Sequence, residues 1–458
     1  MLFQTQAFLL GFLPIVLTGW YAVARHVRLR EWLLITASMV FYGWWDPRFV
    51  VLLLAQAAIS WAAATVYLIT DRRPHAVIFL AIAGNIAVLA FFKYWAFLAT
   101  NVSTAFGLSL PAPHVVLPIG ISFFTFEIIS YLADVRWHGA PRYSLRRYLL
   151  FVCLFPRLIA GPIVRHHEII PQFDADPQRD GCAERLSKGA IWIVIGLVKK
   201  VFIADPLAAI SDPHFANAAG APLDFGAAWS GALAFTLQLY FDFSAYSEIA
   251  IGVALMLGFI LPQNFDAPYR ATNLRDFWRR WHMTLSRYVR DYVYVPLGGS
   301  RSGARRYMTA TLVAMALCGL WHGAGWTFVA WGLFHGIGLI IFNFWDKRGP
   351  ALPQAAAWMI TMLFVICGWV LFRATGFSAA GAMLMSMAGL NGLSGHLDAP
   401  ALLAVAALIA LAGPTTASTI TNLLKPQPAI AVAAAVAACA VILKVGGGQA
   451  QDFIYFQF

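Results

Sequence analysis

The sequence predicts an all-α, polytopic membrane protein, and three observations carry that prediction. Hydrophobic residues make up 60% of the chain and charged residues 12%, where soluble domains run near half and a quarter. The mean hydropathy is +0.70. Long apolar runs recur along all 458 residues, which leaves room for about ten to thirteen helices of ~20 residues joined by short loops. No shift in composition marks a soluble module, so residues 1–458 read as a single integral-membrane domain. The formal charge of +11 sits beside apolar runs, where anionic lipid headgroups are its ordinary counterions. No nucleic-acid partner is expected.

Taken in order, the apolar runs place spans near 6–24, 32–54, 55–70, 76–100, 115–135, 147–165, 188–204, 227–260, 307–324, 326–345, 356–373, 401–413 and 428–445. Arg25, Arg28 and Arg30 follow the first run closely, so the positive-inside rule puts them in the cytoplasm and Met1 outside. That run lacks the basic flank and small-residue cleavage site of a signal peptide and reads as a retained span. Trp44, Trp45, Asp46 and Pro47 interrupt the second run with aromatics suited to the headgroup level. Polar or Pro/Gly-broken loops fall at 71–74, 138–147, 165–188, 211–224 and 390–400. The five cysteines, at 153, 182, 318, 367 and 439, fit neither a disulfide framework nor a zinc spacing and read as packing residues. The closing Asp452 to Phe458 is too short to span, and its aromatics suit packing back onto the body.

One stretch concentrates the chemistry. Between Arg270 and Arg306 nine arginines (270, 275, 279, 280, 287, 290, 301, 305, 306) face only Asp276 and Asp291. A helix over Thr272–Tyr292, capped at Thr272 or Asn273, gathers Phe277, Trp278, Trp281, Leu285, Tyr288 and Tyr292 on one face. Arg275, Arg279, His282, Ser286 and Arg290 gather on the other. Such a helix lies at the cytoplasmic interface. Its arginines serve as a lipid anchor, or as a dock for a phosphate-bearing donor such as a coenzyme A thioester, because guanidinium presents planar, bidentate donors. Pro296 to Arg301 adds a glycine-rich turn, a weak anion signal by itself.

Directly after it, Met308 to Trp345 runs 38 residues without a charge, about 57 Å as one helix against a hydrocarbon core of about 30 Å. It must break, and His322-Gly323-Ala324-Gly325 is the expected place. Broken backbone at membrane depth needs protein or water partners, which sets His322 against a cavity. An ionisable side chain in apolar surroundings is a functional candidate by default. Desolvation keeps such an imidazole neutral, able to take a proton as a general base. His335, near Trp331 on the next span, reads as a packing residue.

Glu127, Asp242 and Glu248 also fall in apolar runs. They suit proton or ion coupling in a transporter, or else pairing with arginines of the 270–306 stretch or orienting a histidine; partnering is the favoured reading. No inverted internal repeat supports the transporter. There is no G-x-S-x-G elbow and no Walker A loop. His166-His167-Glu168 lacks the second histidine of H-E-x-x-H, so no metal site is expected from that motif.

Four segments together resemble the membrane-bound O-acyltransferase family: Asn264–Arg270 (NFDAPYR), Asp276–Ser286 (DFWRRWHMTLS), Arg290–Gly299 (RDYVYVPLGG) and Gly319–Ala324 (GLWHGA). Further similarity runs through Phe41–Pro47, Leu117–Phe123, Leu158–Arg165, Phe241–Ser247 and Phe453–Phe458, over most of the chain. The branch it looks most like is that of the bacterial polysaccharide O-acetylases, with alginate O-acetylation as the type. The resemblance implies a ring of transmembrane and re-entrant helices around a central tunnel, with residues 270–345 as donor-docking and catalytic core. It puts the family's near-invariant histidine on His322 and a second polar position on His282. Arg279, Arg280, Arg287 and Arg290 would then attract the phosphates of acetyl-CoA, the acyl-donor substrate, with no permanently bound cofactor. The same resemblance implies a multi-pass protein of the bacterial inner membrane and a periplasmic partner that accepts the acetyl group or carries it to the polymer. Transfer of D-alanyl to teichoic acid, or of acetyl to peptidoglycan or cellulose, are the alternatives within the class. Two departures stand out: Glu248 where the branch usually has Asp, and Arg157 where Gln is common.

Overall fold

The computed structural model describes residues 1–111, 115–220, 223–424, 427–447 and 451–454. Among them the chain is helical and irregular, with no strand. Its helices are α1 (Ala7–Ala22), α2 (Val27–Gly43), α3 (Arg48–Ile69), α4 (His75–Phe106), α5 (Ile121–Trp137), α6 (Leu145–Cys153), α7 (Cys182–Val198), α8 (Asp205–Asn217) and α9 (Phe225–Met256). There follow α10 (Leu274–Arg280), α11 (Met283–Val289), α12 (Ala304–His322), α13 (Trp326–Arg348), α14 (Gln354–Arg373), α15 (Phe377–Met387), α16 (Pro400–Ala412) and α17 (Pro428–Gly446). Six of them (α3, α4, α9, α13, α14 and α17) are long and apolar enough to cross a membrane, and the bent pair α16 with Thr416–Asn422 makes a possible seventh. Several apolar runs read from the sequence are divided into shorter pieces. The run 147–165 is helical only to Cys153 and irregular beyond it, where Pro156, Gly161 and Pro162 interrupt regular hydrogen bonding.

Two compact units emerge. The first holds Met1–Val194 and Tyr246–Pro262, the second Ile195–Ala245 and Gln263–Lys444 with residues 451–454; α9 contributes to both. In the first, Phe3, Phe8, Phe12, Phe41 and Phe155 form a buried aromatic cluster. Its intramembrane charge is resolved by partnering: Glu127 on α5 pairs with Arg157, both buried. Glu31 on α2 is held by Arg146 and, at 3.1 Å, by Arg147.

In the second unit, Asp242 of α9 pairs with Lys200 at 2.6 Å, and Lys200 also meets Asp205 at 2.8 Å. The chain end joins this network, since Lys200 donates to the Asp452 carbonyl and the Ile454 N–H donates to Asp242. Phe453 and Ile454 are buried, so the closing segment does pack back onto the body as far as it is described; residues 455–458 lie outside the described residues. Glu127 and Asp242 therefore have cationic partners, though neither partner comes from the 270–306 stretch. Helices α12 and α13 form a tight hairpin. A Cβ on Gly319 would run into the Phe328 carbonyl of α13, and one on Gly332 into the Met315 carbonyl of α12. Small residues that let two backbones approach so closely are the ordinary device for packing helices in lipid.

Candidate active site

The expected helix over Thr272–Tyr292 is two helices with a break at His282: Leu274–Arg280, and Met283–Val289 continued as a π-helix over Arg290–Tyr294. Asn273 caps α10, its side chain accepting from the Asp276 N–H at 2.8 Å. His282 then adopts φ +41°, ψ +53°, a left-handed conformation that non-glycine residues rarely take. Such a conformation persists where the surroundings hold it and is concentrated at functional sites. Here the preceding loop holds it from both sides. The Asp266 N–H donates to the Arg280 carbonyl at 3.0 Å, and the Met283 N–H donates to the Asn264 carbonyl at 2.9 Å. The break also changes where His282 points. On a continuous helix it would share the exposed arginine stripe; in the structure it is 0% exposed.

Asn264 assigns the tautomer of that ring. Its Oδ1 lies 3.3 Å from the Thr284 N–H, 2.9 Å from the Thr284 hydroxyl and 3.1 Å from His282 Nδ1. A backbone N–H can only donate, so the atom facing it is the amide oxygen. His282 Nδ1 must then carry the proton, which leaves Nε2 as the basic nitrogen. His282 lies outside the spanning helices, and its burial pushes the imidazole down to about 3. It is a neutral ring with a defined acceptor end.

His322 ends α12, where Gly323 and Gly325 turn the chain into α13. The break falls where length required it. The His322 ring centroid is 6.4 Å from that of His282, so the structure brings the two candidate histidines together. Aromatic rings wall the pair: Trp321, Trp331 and Phe372 stand 4.9, 5.3 and 5.1 Å from His322, and Phe243 stands 4.7 Å from His282. His335 is buried one ring further out. It accepts from the Trp278 indole N–H at 3.3 Å, and its ring lies tilted against Trp331 with centroids 5.0 Å apart. That is a packing role.

The four arginines expected to dock the donor differ from one another. Arg280 is engaged by both oxygens of Asp276, at 3.0 and 2.9 Å, and by the Asp266 carbonyl. Arg290 forms a two-point pair with Asp291 at 2.6 and 3.1 Å. Arg279 is exposed and Arg287 half-buried. A cavity of ≈ 660 Å³ lies in the same unit, lined by Asn273, Leu274, Phe342, Trp345 and Phe364 among others but by neither histidine. Sequence reading singled out His322 and His282 but missed Asn264 as the residue that orients His282. Its position in the NFDAPYR segment was visible; the contact across eighteen residues was not.

The fold and site are those of a multi-pass helical membrane protein with two histidines apposed at helix breaks. The comparisons give the family. Residues 138–386 match the model of MBOAT, the membrane-bound O-acyltransferase family, and the chain belongs to that family; it is an O-acyltransferase. It is 37% identical over 430 residues to the peptidoglycan O-acetyltransferase of Helicobacter pylori, covering 86% of this chain and 81% of that protein. It is 39% identical over 396 residues to the probable alginate O-acetylase AlgI of Pseudomonas aeruginosa, covering 84% and 75%. A teichoic acid D-alanyltransferase of Bacillus subtilis is 28% identical over 322 residues, covering 65% and 78%.

Proposed function

We propose that this chain is an O-acetyltransferase of the bacterial inner membrane. It moves an acetyl group from cytoplasmic acetyl-CoA across the membrane for O-acetylation of an exported, alginate-like polysaccharide. The observation that carries the reading is the apposition of His282 and His322, at 6.4 Å, within a chain similar over most of its length to named O-acetyltransferases. His322 serves as general base or holds the acceptor hydroxyl. As the hydroxyl oxygen attacks the thioester carbonyl, its proton passes to the imidazole, the C–S bond breaks, and the thiolate leaves to be protonated as free CoA. His282, neutral and fixed by Asn264, presents Nε2 as an acceptor that orients the incoming hydroxyl or the donor. The arginines at 279, 280, 287 and 290 draw in the CoA phosphates, and a periplasmic protein takes the acetyl group onward to the polymer.

Peptidoglycan as the acetyl acceptor is the second reading, favoured by the greater share of chain matched to the Helicobacter pylori relative. The test is His322→Ala with mass analysis of exported polysaccharide and of peptidoglycan. The variant is expected to lose O-acetyl groups on one of them and to lose acetyl-CoA turnover in purified form. Intact acetylation and intact turnover would overturn the reading. Proton-coupled flux in proteoliposomes without acyl chemistry would replace it with a transporter.

A further inference from the structure

We propose that Asp134, His166 and His167 form a binding site for a divalent transition-metal cation of the zinc class, one that clamps the end of α5 to the segment starting at His166. One ligand atom from each of the three residues lies within 4.8 Å of the others, and Asp134 Oδ2 is 3.1 Å from His166 Nε2. A tetrahedral zinc site with bonds of about 2.0–2.1 Å holds its donors roughly 3.3 Å apart, so the pair needs little movement to take up a metal. Imidazole with carboxylate is a donor set that suits Zn²⁺ and its neighbours.

The surroundings have the form of a ligand shell. His166 Nδ1 faces the Tyr143 hydroxyl at 3.0 Å, the outer partner that orients a metal-binding imidazole. The remaining carboxylate oxygen of Asp134 faces His138 Nδ1 at 2.9 Å. Asp134 and His166 are buried while His167 is exposed, leaving an entry side where water completes the coordination. Metal binding shifts the His166 proton from Nε2 to Nδ1, and the Tyr143 hydroxyl turns from donor to acceptor. Glu168 accepts from the Arg165 N–H at 2.8 Å and so caps the short helix His166–Ile169 that sets both histidines. The sequence motif gave no metal here because the third donor lies 32 residues before His166, outside any local spacing.

The test uses the full chain in detergent, its affinity tag removed, titrated with ZnCl₂ by calorimetry and with CoCl₂ by visible absorption. One equivalent of Zn²⁺ is expected, with the visible bands of a four-coordinate Co²⁺ site. His167→Ala, at an exposed position, should weaken binding at least tenfold. Tyr143→Phe should weaken it roughly ten- to a hundredfold, while His396→Ala at another exposed histidine leaves it unchanged. Substoichiometric Zn²⁺, or wild-type affinity in both His167→Ala and Asp134→Asn, would overturn the proposal and leave a hydrogen-bond cluster only.

Discussion

Asn264→Ala tests whether the orientation of His282 matters for transfer. The substitution removes one acceptor that serves three donors: His282 Nδ1–H, the Thr284 N–H and the Thr284 hydroxyl. The hydroxyl can rotate to another acceptor. The other two donors are buried and fixed, and each stranded donor costs about 1–3 kcal/mol. A stability loss of roughly 2–6 kcal/mol follows. For transfer, the Nδ1–H tautomer loses the hydrogen bond that selects it. At about 1.4 kcal/mol, that lets the wrong tautomer compete and lowers kcat about tenfold or more. Thr284→Val is the control, since it removes one hydroxyl from the same acceptor and costs about 1 kcal/mol without touching the ring. Asn264→Asp keeps an acceptor and should restore much of kcat. The assay is acetyl-CoA turnover by purified protein below each variant's melting range, paired with O-acetyl content of exported polymer. Equal kcat for Asn264→Ala and the wild type, or equal losses in Asn264→Ala and Thr284→Val, would refute the reasoning.

Other expectations follow from the same geometry. Arg279→Ala should raise KM for acetyl-CoA several-fold with kcat unchanged, more at low salt than at high; Arg280→Ala, which also breaks the Asp276 and Asp266 contacts, should lower the melting temperature in addition to raising KM. Lys200→Met leaves Asp205 and Asp242 buried without their cation, a loss of about 3–5 kcal/mol. Lys200→Met/Asp242→Asn should recover part of it in a thermal melt, and a double variant no better than the single would count against the ion pair. His282 also sets a pH dependence. With a folded value near 3 against about 6.5 in the unfolded chain, protons bind the unfolded state first. Stability is full above about pH 6.5 and falls by about 1.4 kcal/mol per unit between 6.5 and 3. His282→Gln should flatten that part of the profile, measured as the melting temperature between pH 7 and 5.5.

The two helix breaks show what a sequence exposes and what it hides. The break after His322 was legible because 38 uncharged residues cannot cross a bilayer as one upright helix, and glycines mark the turn. The break at His282 carries no glycine or proline. The apolar periodicity runs unbroken from Phe277 to Tyr288, and four of those residues (Phe277, Trp281, Leu285 and Tyr288) are buried as that pattern required. What interrupts the helix is the Asn264–Asp266 segment, which supplies backbone hydrogen bonds to Arg280 and Met283. No local signal reports such a partner. The same limit applies to the buried charges. Their cost was readable at Glu127 and Asp242, while Arg157 and Lys200 as partners emerge only from the fold.

Those partners bear on what the membrane body can do. A carboxylate that couples transport must exchange its proton or ion between two exposures. Glu127 is closed off by a buried arginine. Asp242 is held by Lys200 and by the Ile454 N–H at 2.7 Å, so releasing it would also release the chain end. Glu127 and Asp242 are therefore committed to holding segments of the chain together. The histidine pair is arranged differently: His282 is kept neutral, its proton fixed on Nδ1 by Asn264, and His322 stands at an interrupted helix end ringed by aromatics. A preset neutral acceptor beside a second imidazole suits hydroxyl acylation, whereas ion coupling requires a charge free to change partners. The paired acids at 127 and 242 and the oriented imidazole of His282 thus favour acyl transfer on physical grounds that are independent of sequence similarity.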